Sequence, residues 1–202
     1  EGIALYGVRI GAVRKLANQY FRQVKKLEKK VILQICEELL QAHLQETAVI
    51  AYQWTEKLLP QLTPADFPVL ERWLKTYIRN WAQADDLCTG PLGQFLLNYP
   101  EIVPKTRVWR TSKNRWVRRG AATSLIVPVR AGKQLPEVFA TAEALLEDTD
   151  DMVRKGYGWL LKEVSNKSPQ EVFQYVMANK DHMARVALRY AIEKLPTKMR
   201  QQ

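Results

Sequence analysis

Three features of the sequence predict an all-helical fold. Apolar residues recur at three- and four-residue steps through nearly every segment, which is the helical period and not the alternation of a strand. Glycine is scarce, at 9 of 202 residues. Prolines follow Thr63, Tyr99, Ser168 and Leu195, positions where a helix can begin but through which none can run.

Taken in order, the periodicity predicts helices from Gly11 to Val24, Leu27 to Ala42, Glu46 to Leu59, Phe67 to Trp81 and Gly93 to Tyr99. Further helices are predicted from Pro100 to Thr111, Asn114 to Val129, Leu135 to Glu147, Asp150 to Val164, Pro169 to Met177 and His182 to Leu195. Ser168, with Glu171 three residues on, has the pattern of a capping box.

Eleven short helices joined by short links point to helix-on-helix packing in two-helix units, for which HEAT and armadillo repeats have a period of about 40 residues. Trp81, Arg119 and Trp159 recur at intervals of about 40 residues. In a true repeat they share one face of a curved solenoid; the alternative is chance, since there are six tryptophans and many arginines.

A chain of this length with 47% hydrophobic residues forms one sizeable core, so a single domain over 1–202 is expected. It opens at Glu1 without an initiator methionine or a signal-like segment, which reads as a start lacking some N-terminal structure rather than as secretion. Cys36 and Cys88 form no CxxC pair, so neither a disulfide framework nor a thiolate metal site is expected and a reducing, cytosolic setting fits. The longest apolar candidate, Ala121 to Val129, is interrupted by Thr123, Ser124 and Pro128, far short of the roughly 18 residues of a membrane span.

The net charge of +10 calls for an acidic partner, nucleic acid or an anionic membrane. Between Glu101 and Glu137 there are nine cations and no carboxylate, while acidic residues gather from Glu137 to Asp151. That separation predicts a basic docking face, because an ordinary solvated face carries both signs. Trp109 and Trp116 interleave with these cations and offer flat apolar surface, although core packing is the reading preferred for both. The small, mixed GAATSLIVPV that follows Arg119 is no membrane-surface helix, which favours nucleic acid.

No Ser-His-Asp set, phosphate-binding glycine loop or HExxH string is present, and His43 and His182 stand alone. The remaining candidates are carboxylates near aromatic and basic groups. In NWAQADDLCTG, Trp81 and Asp85 are four apart and share a side of any continuing helix, while Asp86 points elsewhere. Asp85 as a cap for a following short helix is the equal alternative.

LYGVRIGAVRKLA, NWAQADD, NRWVRRGAA, DDMVRKGYGWLLKE and MARVALRYAIEKLP, in this order over nearly the whole chain, resemble the AlkD-type DNA alkylation repair proteins. The resemblance implies a HEAT-like superhelix with a basic concave face for duplex DNA. It also implies a monofunctional glycosylase that releases N3- or N7-alkylated purines and leaves an abasic site. The catalytic carboxylate of the family matches Asp85 and its lesion-side tryptophans match Trp81 and Trp159. Its DNA-backbone arginine matches Arg119, with Arg118, Arg115, Lys113 and Lys155 as helpers. No metal or organic cofactor is called for. The implied partner is alkylated duplex DNA, bound by a monomer in a bacterial-type cytoplasm and associated with the nucleoid through DNA. Alternatives are a non-catalytic binder of branched or damaged DNA and a scaffold for acidic proteins.

Overall fold

The computed structural model describes residues 2–201, which contain helices, turns and no β-strand. The α-helices are α1 Ile10–Val24, α2 Lys29–Gln41, α3 Gln45–Leu58, α4 Phe67–Thr76, α5 Trp81–Thr89, α6 Pro91–Asn98 and α7 Arg115–Thr123. They continue as α8 Ile126–Arg130, α9 Leu135–Ala144, α10 Asp151–Ser165, α11 Pro169–Asn179, α12 Arg185–Ile192 and α13 Thr197–Arg200. Three 3₁₀ segments, Leu59–Gln61, Pro64–Asp66 and Pro100–Thr111, lie between them. The chain divides into two compact units, one ending at Phe95 and the other beginning at Leu96.

In the first unit α3 is central and packs against α1, α2 and α5. It buries Ala48, Val49, Ala51, Tyr52, Trp54, Thr55 and Leu58, nearly a full circumference, as a helix with neighbours on several sides must. The Trp54 indole N–H donates to the Ala17 carbonyl at 2.8 Å and ties α3 to α1. Glu46, at the start of α3, accepts from the backbone N–H groups of Tyr6, Gly7 and Val8 at 3.0, 2.9 and 3.1 Å. Three successive amides converge on one carboxylate because Gly7 takes φ +83°, a conformation that residues with a Cβ rarely adopt. The LYGV string thereby pins the N-terminal segment onto α3.

The expected helix from Phe67 to Trp81 is two helices. α4 ends at Thr76, and α5 begins at Trp81 under an N-cap, the Asn80 side chain accepting from the Gln83 N–H at 2.9 Å. The Gln83 side chain reaches back to the Arg79 N–H at 2.9 Å. Asn followed three residues later by Gln is a helix-start signature, and it lies in plain view within NWAQ. α5 runs on to Thr89, so Asp85 is interior to a helix.

In the second unit α7, α10 and α12 form one row, with α10 also touching α8, α9 and α11. Packing of α10 on α12, its next-but-one neighbour, is the pattern of stacked helix pairs. Two glycines let α10 approach closely. A Cβ on Gly158 would sit 2.8 Å from the Ala187 carbonyl oxygen of α12, and one on Gly156 would sit 3.2 Å from Arg119 Cγ of α7. Residues 100–111 are helical but 3₁₀ rather than α, with Pro104 inside the run. A proline there cannot donate to an α-ladder, and its ring clashes with the preceding turn. The expected Asn114–Val129 helix is broken into α7 and α8 at Ser124 and Leu125. The Ser168–Glu171 capping box does not form: Ser168 makes no side-chain cap bond, and α11 starts directly on Pro169, which has no N–H to satisfy. A capping interaction occurs instead at Thr63, whose N–H donates to Asp66 Oδ2 at 2.7 Å.

Candidate functional site

Six tryptophans divide sharply by environment. Trp54, Trp73, Trp109 and Trp116 are buried, whereas Trp159 is half-buried and Trp81 is 47% exposed. The preference for core packing of Trp109 and Trp116 therefore holds. Burying an indole is strongly favourable, so an exposed one at the capped start of a rigid helix calls for another explanation.

Asp85 lies one turn after Trp81 on α5 and is half-buried. Its carbonyl accepts from the Thr89 hydroxyl at 2.8 Å, which adds a local restraint to the helix. The spacing puts the indole and the carboxylate on one side of α5. Asp86 is turned towards α3, where its Oδ2 accepts from Gln45 Nε2 at 3.0 Å. It lines a cleft of about 540 Å³ with Arg14, Asn18, Gln53 and Glu56. Burial lifts the Asp86 carboxyl above its ordinary value; Arg14 opposes this, Asp85 reinforces it and Gln45 opposes it. The two adjacent carboxylates thus have separate surroundings.

The remaining candidates belong to the second unit. Arg119 is buried, 5% exposed, and its guanidinium donates to the Met152 carbonyl across Gly156. The neighbouring Arg118 forks onto Asp148 at 2.6 and 3.2 Å and also donates to the Ser112 carbonyl at 2.8 Å. Arg115 pairs with Asp150 at 2.8 Å and stacks over the Trp116 ring at 4.8 Å. Lys155 pairs with Asp151 one turn earlier on α10 at 2.6 Å, and Lys113 is exposed in the turn before α7. Trp159 projects from α10 and donates its indole N–H to Glu163 at 2.9 Å.

These pairings correct the expectation that basic and acidic stretches stay apart. Glu137 receives both Arg107 and Arg110, Asp148 receives Arg118, Asp150 receives Arg115, and Glu163 receives Arg130. The carboxylates that follow the basic stretch in sequence fold back onto it. Burial works to raise the Glu137 carboxyl, but the two arginines prevail and hold it below its ordinary value. A run of one sign in sequence says little about a surface when the opposite sign returns one helix pair later. Lys105, Lys113 and Lys133 remain exposed.

Among the described residues no group of three metal-binding side chains occurs, and both cysteines are buried, with burial raising the Cys36 thiol to about 12. No described helix is long and apolar enough to cross a membrane.

Stacked helix pairs, with no strand among the described residues, place the chain in the class of all-helical proteins. The chain belongs to the DNA alkylation repair enzyme family, whose sequence model matches residues 1–195. Among solved structures it is similar to a predicted DNA alkylation repair enzyme from Enterococcus faecalis, with a TM-score of 0.86 at 15% identity over 96% of this chain and 90% of that one. It is also similar to smu.31 from Streptococcus mutans, with a TM-score of 0.67 at 18% identity over 93% of this chain and 99% of that one. At these identities the likeness is one of fold. No curated protein matches the chain.

Proposed function

We propose that this member of the family is a monofunctional DNA glycosylase that excises cationic N3- or N7-alkylated purines from duplex DNA. The observation that carries the reading is the pair on α5: Trp81 is the most exposed tryptophan, and Asp85 follows it by one turn.

Alkylation at N7 or N3 turns the purine into a cation and a good leaving group, so the base needs no protonation. What remains is to stabilise the positive charge that grows on the sugar as the glycosidic bond breaks, and to guide water to that carbon. Asp85 supplies the negative charge and an acceptor for the water proton. Trp81, beside Asp85 on α5, offers its indole to the lesion, and an indole face attracts a cation by up to about 2 kcal/mol when desolvated; Trp159 is the second lesion-side indole that the family resemblance implies. Such a set suits a labile charged lesion and is too weak for a neutral base.

Lys113, which is exposed, takes a phosphate first, and the partly exposed Arg115 and Lys155 follow by releasing Asp150 and Asp151. Arg118 and Arg119 are held by Asp148 and Met152, so they shape this part of the surface and meet a phosphate only by exchanging those partners. The protein acts as a monomer and without a cofactor. Duplex DNA with a single N7-methylguanine, incubated with protein and then treated with mild alkali, is expected to break at the lesion well above the level in a protein-free sample treated alike. Scission no greater than in that sample would refute the assignment.

A further inference from the structure

We propose that Glu163 is a positioning residue for Trp159, with Arg130 as the clamp that makes it one; this rests on the reading of Trp159 as a lesion-side residue. Trp159 and Glu163 are one turn apart on α10, so their side chains meet on a single face. The indole Nε1–H donates to Glu163 Oε1 at 2.9 Å. Arg130, the last residue of α8, grips the same carboxylate with two nitrogens: Nε donates to Oε2 and Nη2 to Oε1, each at 2.9 Å.

The carboxylate is therefore held at both oxygens, and its side chain is only 12% exposed. Bidentate pairing fixes orientation as well as distance. A tryptophan has two side-chain torsions, and about the second the ring can lie either way round. Only one of those ways brings Nε1 to Glu163. The hydrogen bond thus selects one ring orientation and presents one indole face in a fixed direction. Lys162, the nearest cation in sequence, is drawn away by Glu193 at 2.7 Å and lies over the Tyr190 ring, so it leaves the arrangement intact. The Arg130 hydrogen bond keeps the Glu163 carboxyl below its ordinary value, with the Trp159 bond adding to this against the effect of burial.

A preset indole matters because a misdirected one would have to reorient while the lesion is being engaged. Near-attack geometry that is already in place lowers the barrier, whereas loss of it lowers rate more than affinity. The role differs from that of an ordinary surface pair in needing the acceptor at Glu163 rather than its charge alone.

The test uses the whole chain with ¹⁵N-labelled indoles, the Trp159 resonance being assigned by its absence in Trp159→Phe. In the unaltered protein its Nε1–H is expected to exchange slowly. Glu163→Leu is expected to abolish that protection and to slow single-turnover release of N7-methylguanine by about ten-fold, the scale of one charge-assisted hydrogen bond. DNA affinity is expected to change by less than about two-fold, since the phosphate contacts are untouched. Glu163→Gln retains an acceptor and is expected to recover most of the rate, and Arg130→Met to fall between the two. Should Glu163→Leu not fold, Arg130→Met at its half-exposed site carries the same comparison. Unchanged release in Glu163→Leu, or a loss that Glu163→Gln fails to recover, overturns the proposal. Unchanged release in Trp159→Ala overturns it by a different route, through the role of Trp159 itself, even where protection still depends on Glu163.

Discussion

Asp85→Asn keeps the shape of the side chain and its place inside α5 while removing its charge. A carboxylate about 4 Å from a developing sugar cation, at an effective dielectric of about 20, contributes roughly 4 kcal/mol, or about three powers of ten in rate. Asp85 is half-buried, not enclosed, so water screens it in part. Doubling the dielectric to about 40 leaves roughly 2 kcal/mol, or about thirty-fold. The expected loss therefore lies between about 30- and 1000-fold. It is measured as single-turnover release of N7-methylguanine from a duplex, with abasic sites counted by alkaline scission. Thermal unfolding run alongside separates any loss of stability from the loss of rate. Asp86→Asn serves as the internal control, because Asp86 faces Gln45 and the α3 cleft; its rate should stay within about three-fold of the parent's. A wild-type rate in Asp85→Asn, or a larger loss in Asp86→Asn, would contradict the role assigned to Asp85.

Glu137→Gln leaves Arg107 and Arg110 without their shared carboxylate, whose side chain is only 9% exposed, and should cost about 3 kcal/mol in denaturant unfolding at neutral pH. Because the Glu137 carboxyl is held below its ordinary value, its stabilisation is full above the unfolded value of about 4.3 and fades as pH falls through the lower folded value; a pH-independent difference between variant and parent would contradict this. Asp86 has the opposite sign: a carboxyl harder to ionise in the folded chain favours unfolding wherever it is ionised. Asp86→Asn should therefore raise Tm at neutral pH, with the gain vanishing below about pH 3.9, and an equal gain at every pH would rule out the charge as its cause. Gly158→Ala drives a Cβ to 2.8 Å from the Ala187 carbonyl oxygen, backbone that has little room to yield, and should cost about 2 kcal/mol of stability. An unchanged unfolding midpoint would show that α10 and α12 are not held as tightly as their spacing implies.

Periodicity identified helices because burial against a neighbouring helix imposes a stripe, and the core positions of Trp109 and Trp116 followed from the same rule. Where the stripe was nearly continuous, breaks were hidden: the α4–α5 boundary rests on the Asn80 cap, a local polar signal that NWAQ carried but hydrophobic spacing does not read. The 3₁₀ character of residues 100–111 was similarly invisible to a period count, although Pro104 was the clue. Charge was the least legible feature. Arg107 reaches Glu137 and Arg118 reaches Asp148, each across 30 residues of sequence, a distance set by how helix pairs stack. The acidic cluster just downstream of the basic one held that information, but only tertiary packing converts it into ion pairs. Trp81 and Asp85 were legible as neighbours on a helix, whereas the exposure that separates Trp81 from the four core tryptophans was not. The Glu163–Arg130 clamp on Trp159 joins two helices and had no signal in spacing alone.

The most direct measurement is chromatographic assay of the free base released from methylated duplex DNA, paired with a count of abasic sites in the same sample. A glycosylase of the proposed kind yields free N7-methylguanine or N3-methyladenine in numbers equal to the abasic sites, with unmodified purines retained. Tight association with the methylated duplex and no released base beyond the spontaneous background would contradict it and identify a binder of damaged DNA instead.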